Sequence, residues 1–187
     1  MILPILAYGH PTLKKVAKDI DKDYPDLHKL IADMWETMYF SHGVGLAAPQ
    51  VNKSIRLQVI DATPFAEEDE RARNFKKVMI NAQIIHEEGE EWPFNEGCLS
   101  IPEIREDVYR KPKIKIQYYD ENWNYFEETF DSVMARIIQH EYDHLEGKLF
   151  VDRLSSIRRM LLKRRLNDIA TGKVQTDYRM IFASNKR

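Results

Sequence analysis

Apolar residues recur at helical spacing in three segments of the chain, and this pattern predicts three helices. The first covers residues 24–42, where Pro25 suits a first turn and Gly43 suits a stop. The second covers Ser132–Leu145 and the third covers Ser156–Ala170. Since the segments lie near the two ends of the chain, the helices are expected to flank a central region of another kind.

The third predicted helix carries basic residues on one side. Its apolar residues are expected to face the core: Ile157, Leu161, Leu162, Leu166 and Ile169. Its basic residues are expected to face mostly outward: Arg158, Arg159, Lys163, Arg164 and Arg165. A row of charges like this is usually a solvated face, and a surface that binds an acidic partner is the alternative.

Alternation of apolar and polar residues predicts strands in the middle of the chain. Strands are expected at residues 55–60, 76–85 and 113–120, and residues 122–130 read as the second arm of a hairpin. Residues 62–74 are charged and lack apolar periodicity, so they are predicted to form a solvated loop. The fold class is therefore α+β, with mostly antiparallel sheets around a central helix, in a single domain of residues 1–187.

Composition excludes several functional classes. The 187 residues carry a net charge of −2 and a pI near 6.3, which provides no overall field for DNA or for an anionic membrane. No apolar run approaches the roughly 20 residues of a membrane-spanning helix. The single cysteine, Cys98, allows no disulfide within the chain. These features predict a cytoplasmic protein.

The sequence His-Glu-Tyr-Asp-His at residues 140–144 is the strongest chemical signal. A spacing of four places His140 and His144 on one face of a helix, one turn apart, where they can hold one divalent metal. Glu141 lies beside them, where it can take a proton from water. The alternative is a helix with two partly buried, hydrogen-bonded histidines.

A catalytic metal site needs a third protein ligand. The candidates are Cys98 in the EGCLS segment, the carboxylates Glu146 and Asp152, or another histidine. Three good ligands favour an open catalytic site over a closed structural site, which normally has four. A zinc metallopeptidase and a non-catalytic metal-binding module remain as alternatives at this point.

Three motifs, in this order, resemble the signature motifs of peptide deformylases. They are GVGLAAPQ at residues 43–50, EGCLS at 96–100 and QHEYDHLEG at 139–147. The opening segment from Tyr8 to Leu13 is similar to the start of that family. The resemblance covers residues 2–155, whereas the tail and the loop around residues 63–74 vary within the family and decide little.

The resemblance implies a role for each matching residue. Cys98, His140 and His144 would hold Fe²⁺, which Ni²⁺, Co²⁺ or, with less activity, Zn²⁺ can replace. Glu141 would be the general base and then the acid. Gln50, through its side-chain amide, and Leu99, through its backbone N–H, would stabilise the oxyanion that forms from the formyl carbonyl.

The implied substrate is an N-formylmethionyl nascent polypeptide, from which formate is released. Gly45 and Gly97 would hydrogen-bond the substrate backbone, and Arg105 would lie near the pocket mouth. The methionine side chain would enter an apolar recess, whose expected lining is Val44, Leu99, Val133 and Ile137. In some family members the C-terminal helix contacts the ribosome, so ribosome binding is the functional alternative for the basic helix at about residues 156–170.

Overall fold

The structure is a computed structural model that describes residues 1–183. Three helices lie in this part of the chain: α1 (Leu27–Phe40), α2 (Ser132–Leu145) and α3 (Ser156–Ala170). The same residues form nine strands: β1 (Ile5–Leu6), β2 (Gly45–Ala47), β3 (Leu57–Asp61), β4 (Lys76–Glu88), β5 (Trp92–Cys98), β6 (Ile101–Arg110), β7 (Lys113–Tyr119), β8 (Tyr125–Asp131) and β9 (Met180–Ile181).

Antiparallel pairing dominates the sheets. A five-stranded sheet has the order β2-β3-β4-β7-β8, and each neighbouring pair in it is antiparallel. β5 and β6 form a separate antiparallel hairpin, while β1 and β9 form a short parallel pair that joins the two ends of the described chain. The α+β class and the antiparallel sheets are thus confirmed.

Helix α2 lies at the centre because its apolar residues pack against the five-stranded sheet. Ala135 and Ile138 of this helix are fully buried, as are Met79 and Ile116 of the sheet, and all four belong to one core cluster. A second cluster packs α1 against β3, and a third packs α3 against β6. The helix that carries both histidines is therefore held against the five-stranded sheet, where it contacts β2, β3, β7 and β8.

The predicted bounds of α2 and α3 are confirmed, and α1 is shorter at both ends than residues 24–42. The four predicted strands are present as β3, β4, β7 and β8, while β1, β2, β5, β6 and β9 were not predicted. Residues 62–74 contain two short 3₁₀ turns, and Ala72 is fully buried there. The expectation of a wholly solvated loop is thus wrong at Ala72.

One expectation for α3 is also wrong. Ile157 and Leu161 are 68% and 62% exposed, although they were expected to face inward. The buried residues of the helix are Leu162, Leu166 and Ile169. Only this stripe packs into the core cluster that α3 shares with β6, so the rest of the helix surface faces solvent. No helix of the described residues is long and apolar enough to cross a membrane.

Candidate metal centre and active-site cavity

Three potential metal ligands converge where α2 meets the end of β5. The donor atoms of Cys98, His140 and His144 all lie within 4.8 Å of one another. Cys98 Sγ is 3.4 Å from His144 Nε2, and the two imidazole rings are 5.4 Å apart between centroids. One thiol and two imidazoles at such distances fit a single divalent transition metal with an open coordination position.

The other candidates for the third ligand lie elsewhere. The carboxylate of Glu146 accepts a hydrogen bond from Arg56 at 2.6 Å. Asp152 accepts from the backbone N–H of Leu149 and from the ammonium of Lys14, at 2.9 and 2.6 Å. Among residues 1–183 the ligand cluster therefore consists of the cysteine and the two histidines.

A buried carboxylate orients the first histidine. Glu96 Oε2 lies 2.8 Å from Nδ1 of His140, which leaves Nε2 of that ring to face the cluster. Arg110 donates two hydrogen bonds to the same carboxylate, at 2.7 and 3.0 Å, and Arg136 donates one at 3.0 Å. Burial opposes ionisation of Glu96, but the hydrogen bonds from His140 and Arg110 hold its pKa well below the usual range.

The charged network extends from Glu96 to Asp143, a second carboxylate, which lies on α2. Asp143 accepts a hydrogen bond from Arg110 at 2.7 Å and two from Arg153, both at 2.6 Å. Sequence reasoning missed Arg110, Arg136 and Arg153. A signal existed for two of them: Arg110 occupies an inward position in the alternation of β6, and Arg136 precedes His140 by four residues on the same helical face.

His144 is suited to bind metal as a neutral imidazole. Burial, together with the nearby charge of His140, lowers the pKa of His144 to about 3. Its Nδ1 atom is buried and has no hydrogen-bond partner within the described chain. An imidazole that is neutral at pH 7 keeps the lone pair of one ring nitrogen available for a cation.

Glu141 lies in the cavity beside the cluster. It is only 4% exposed, and its Oε2 atom has no hydrogen-bond partner among residues 1–183. Burial raises the pKa of this carboxyl to about 7, which suits a group that both takes and returns a proton near neutral pH. Gly45 makes room for it, because a Cβ atom at that position would lie 2.7 Å from Glu141 Cγ.

Gln50 reaches the cluster from a 3₁₀ turn at Ala48–Val51. Its Oε1 atom accepts a hydrogen bond from the Ala47 N–H at 2.9 Å, which orients the amide. Nε2 then points to Ser100 Oγ at 3.2 Å and to Cys98 Sγ at 3.5 Å. The amide donor thus faces the ligand cluster, and Ser100 is a contact that sequence reasoning missed.

A cavity of about 620 Å³ opens in front of these groups. Its wall includes the predicted residues Val44, Gly45, Gln50, Gly97, Leu99, Arg105, Ile137, His140 and Glu141. Phe65 and Phe94 line it as well, and their rings are 6.2 Å apart between centroids. Val133 belongs to the core cluster around α2 and is not among the residues that line this cavity, so its place in the recess stays a prediction.

Arg105 lies at the cavity wall but is not free. Its guanidinium donates to the side-chain oxygen of Asn95 at 2.9 Å and to the Asn95 carbonyl at 2.7 Å. It passes over Gly97, where a Cβ atom would lie 2.7 Å from Nη1 of Arg105. Because Gly97 has no side chain, the guanidinium of Arg105 can lie against its backbone.

The sequence and the fold are both similar to those of known proteins. A family model described as polypeptide deformylase matches residues 2–160. A peptide deformylase of Christiangramia forsetii is 56% identical, and one of Flavobacterium johnsoniae is 54% identical; each match covers 100% of this chain and 99% of the relative. The crystal structure of a peptide deformylase from Legionella pneumophila superposes with a TM-score of 0.80 at 39% identity, over 92% of this chain and 98% of that one.

Proposed function

Because this chain belongs to the peptide deformylase family of metal-dependent hydrolases, which remove the formyl group from nascent polypeptides, we propose specific roles for its residues. Cys98, His140 and His144 hold the metal, and Glu141 transfers protons. The observation that carries this assignment is the convergence of three donor atoms within 4.8 Å beside a buried carboxyl with a raised pKa. That convergence is what hydrolysis of an amide by a metal enzyme requires.

We propose Fe²⁺ as the metal, with Ni²⁺, Co²⁺ or Zn²⁺ able to substitute. One soft thiolate and two imidazoles are donors that suit all four ions. When bound, a divalent ion supplies a Lewis acid that polarises a carbonyl oxygen and acidifies water. Glu96 supports the assignment, since a carboxylate on the far nitrogen of a ligating histidine orients its ring.

Glu141 acts first as a base and then as an acid. Its unpartnered Oε2 is free to accept a proton from the water that attacks the formyl carbon. The same carboxyl then returns the proton to the departing α-amine nitrogen as the C–N bond breaks. One water and one formamide thus become one formate ion and one α-ammonium group, because the new amine takes up the remaining proton.

Gln50 and Leu99 stabilise the negative charge on the formyl oxygen in the tetrahedral adduct. The support for Gln50 is its amide nitrogen, which points at the cluster because Oε1 is tied to Ala47. Leu99 directly follows Cys98, so its N–H is close to the same point. Donors of this kind are typically worth about 3 to 4 kcal/mol to the transition state.

The substrate peptide lies between two strand edges. β2 is at the edge of the five-stranded sheet, β5 has one unpaired edge, and both line the cavity. An extended peptide can add to such edges through backbone hydrogen bonds, which gives Gly45 and Gly97 their binding role. The methionine side chain occupies the apolar wall of Val44, Ile137 and Phe65, and Arg105 borders the mouth.

We propose that the enzyme works in the cytoplasm, where nascent chains are made. Ribosome contact through α3 is the finer proposal, supported by basic side chains exposed along that helix. Arg158 is partly engaged by Glu106 at 2.7 Å, and Arg165 donates to the Glu103 carbonyl at 2.5 Å. Arg159, Lys163 and Arg164 are therefore the residues most available to an anionic partner.

Product analysis tests the function. Formyl-Met-Ala-Ser should yield formate and intact Met-Ala-Ser, while acetyl-Met-Ala-Ser should react far more slowly because the acyl site beside Cys98 and Gln50 is tight. The Glu141→Gln variant is the control for contaminating activity. Release of free methionine, or cleavage between Ala and Ser at the rate of formate production, would instead indicate a peptidase.

A further inference from the structure

The segment after α3 returns to the active-site cavity. Gln175, Thr176, Asp177 and Tyr178 line the same cavity as Cys98, His140 and Glu141. These four residues lie beyond residues 2–160, which the family model matches. A segment outside the range of the family model thus forms part of the wall around the candidate metal ligands.

This segment is built into the fold. β9 pairs in parallel with β1, and the Ile5 N–H donates to the Arg179 carbonyl at 2.9 Å. Met180 and Phe182 pack against the core cluster of β6 and α3. The hydroxyl of Thr176 donates to the Tyr178 carbonyl at 2.7 Å, which shapes the turn just before β9. Tyr178 therefore has a defined position.

The hydroxyl of Tyr178 donates a hydrogen bond to the backbone carbonyl of Leu99 at 2.8 Å. Leu99 is half-buried and directly follows the ligand Cys98. The next carbonyl, that of Ser100, accepts a hydrogen bond from the Tyr8 N–H at 2.8 Å. Two consecutive carbonyls of the turn that joins β5 and β6 are thus held, one by each end of the described chain.

We propose that Tyr178 is a positioning residue of the deformylase site. Its hydrogen bond limits rotation about the Cα–C bond of Leu99 and holds the turn in which the Leu99 N–H sits, so that this donor stays aimed at the formyl oxygen. The proposal rests on the function proposed above, in which Leu99 is an oxyanion donor. A donor that is aimed before the reaction costs no reorganisation when charge develops.

Tyr178→Phe tests this by removing one hydroxyl and keeping the ring. The expected result on formyl-Met-Ala-Ser is a kcat lower by about two- to tenfold, the worth of one neutral hydrogen bond, with KM and thermal midpoint close to wild type. Tyr109→Phe is the matched control: Tyr109 is 59% exposed on β6 and lies outside the described lining of the cavity. It should leave kcat unchanged.

A thioformyl substrate separates positioning of the donor from a general effect on the fold. Sulfur accepts hydrogen bonds weakly. When sulfur replaces the formyl oxygen, the orientation of the Leu99 N–H therefore matters less. With N-thioformyl-Met-Ala-Ser, release of Met-Ala-Ser should therefore show a smaller kcat ratio between wild type and Tyr178→Phe. Equal ratios for both substrates, an unchanged kcat, or an effect on KM alone would overturn the role of Tyr178. Absence of formate from the wild-type protein would instead overturn the proposed function itself.

Discussion

Glu96 Oε2 and His140 Nδ1 are 2.8 Å apart in a place that water barely reaches, since Glu96 is 4% exposed and the His140 side chain 11%. The contact fixes the orientation of one ligand ring. The Glu96 carboxylate is also the anion that the guanidinium groups of Arg110 and Arg136 share. Metal binding and stability of the fold are therefore coupled at one carboxylate.

Replacing this carboxylate should weaken both properties. Glu96→Gln keeps the shape but removes the charge, so His140 loses a charged acceptor and the buried Arg110 and Arg136 lose the anion that they share. Metal affinity should fall about 10- to 100-fold, measured by competition with a chelator, and unfolding should occur at lower urea concentration. Glu91→Gln, at an exposed position just before the same hairpin, should change neither. Wild-type affinity in Glu96→Gln would show that the ring needs no such support.

Loss of a ligand and loss of the base should behave differently. Cys98→Ala and His144→Ala remove donors and should yield protein with little bound metal. Glu141→Gln should retain most of its metal and lose turnover by about 10²- to 10⁴-fold, because only proton transfer is removed. The test is to measure, for each variant purified without air, both its metal content and its rate of formate release. Wild-type metal content in Cys98→Ala would remove Cys98 from the site.

Gly45 has a steric role besides its proposed binding role. Gly45→Ala would place a methyl group 2.7 Å from Glu141 Cγ and push the carboxyl out of position. Turnover should fall by about 100-fold while metal content stays near wild type. Gly89→Ala is the matched control: its Cβ would meet Pro112 at 2.5 Å with φ at +96°, far from the cavity. That variant should lose stability and keep kcat. Full turnover in Gly45→Ala would show that Glu141 can shift without loss.

Stability should depend on pH through Asp33. Its carboxylate accepts hydrogen bonds from Lys29 and from the ammonium of Met1, both at 2.6 Å, and these hold its pKa below the usual value. A lowered pKa in the folded state means that the carboxylate stabilises the fold above its unfolded pKa, near 4, and that this contribution is lost as the pH falls through the folded value.

Asp33→Asn should accordingly be less stable than wild type at pH 7, and the difference should shrink as the pH falls below about 4. Urea unfolding at several pH values measures it. Asp23→Asn, at an exposed position before α1, is the control and should show little difference throughout. A gap between wild type and Asp33→Asn that is constant with pH would mean that the side chain acts through packing.

Charge reversal on α3 tests ribosome contact. Glutamate at Arg159, Lys163 and Arg164 should weaken co-sedimentation with ribosomes in a salt-sensitive way and leave turnover on a short peptide unchanged. Reversal of the exposed Lys22, Lys53 and Lys111 controls for net charge. Unchanged co-sedimentation of the α3 variant would leave the helix as a solvated face.

The local sequence pattern was sufficient to predict where α2 and α3 begin and end. The predicted limits of α2 and α3 agree with the structure because Gly147, with φ at +68°, follows α2, and Ser155 caps α3 by accepting from the Arg158 N–H. The pattern wrongly predicted that Ile157 and Leu161 face the core. Periodicity shows which side of a helix is apolar, but it does not show how much of that side other elements cover. α3 contacts the body along one stripe only, which leaves both side chains in solvent.

The candidate ligands and the candidate proton carrier could be found from sequence because the chemistry depends on short spacings. His140 and His144 share a face through helical geometry alone, and Glu141 comes with them. The choice of Cys98 over Glu146 and Asp152 needed the resemblance to a family. In the structure Cys98 lies with the two histidines, whereas both carboxylates pair with cations elsewhere.

Contacts between distant parts of the chain could be decided only by the tertiary structure. Arg110 lies 33 residues before Asp143 and Tyr178 lies 79 residues after Leu99, so no local spacing links either pair. A buried arginine and a buried carboxylate pair with each other because burial of either charge without a partner costs much free energy. The tail reaches the cavity because β9 pairs with β1 at the other end of the described chain. Sequence therefore determined the reactive groups, and the fold decided what orients them.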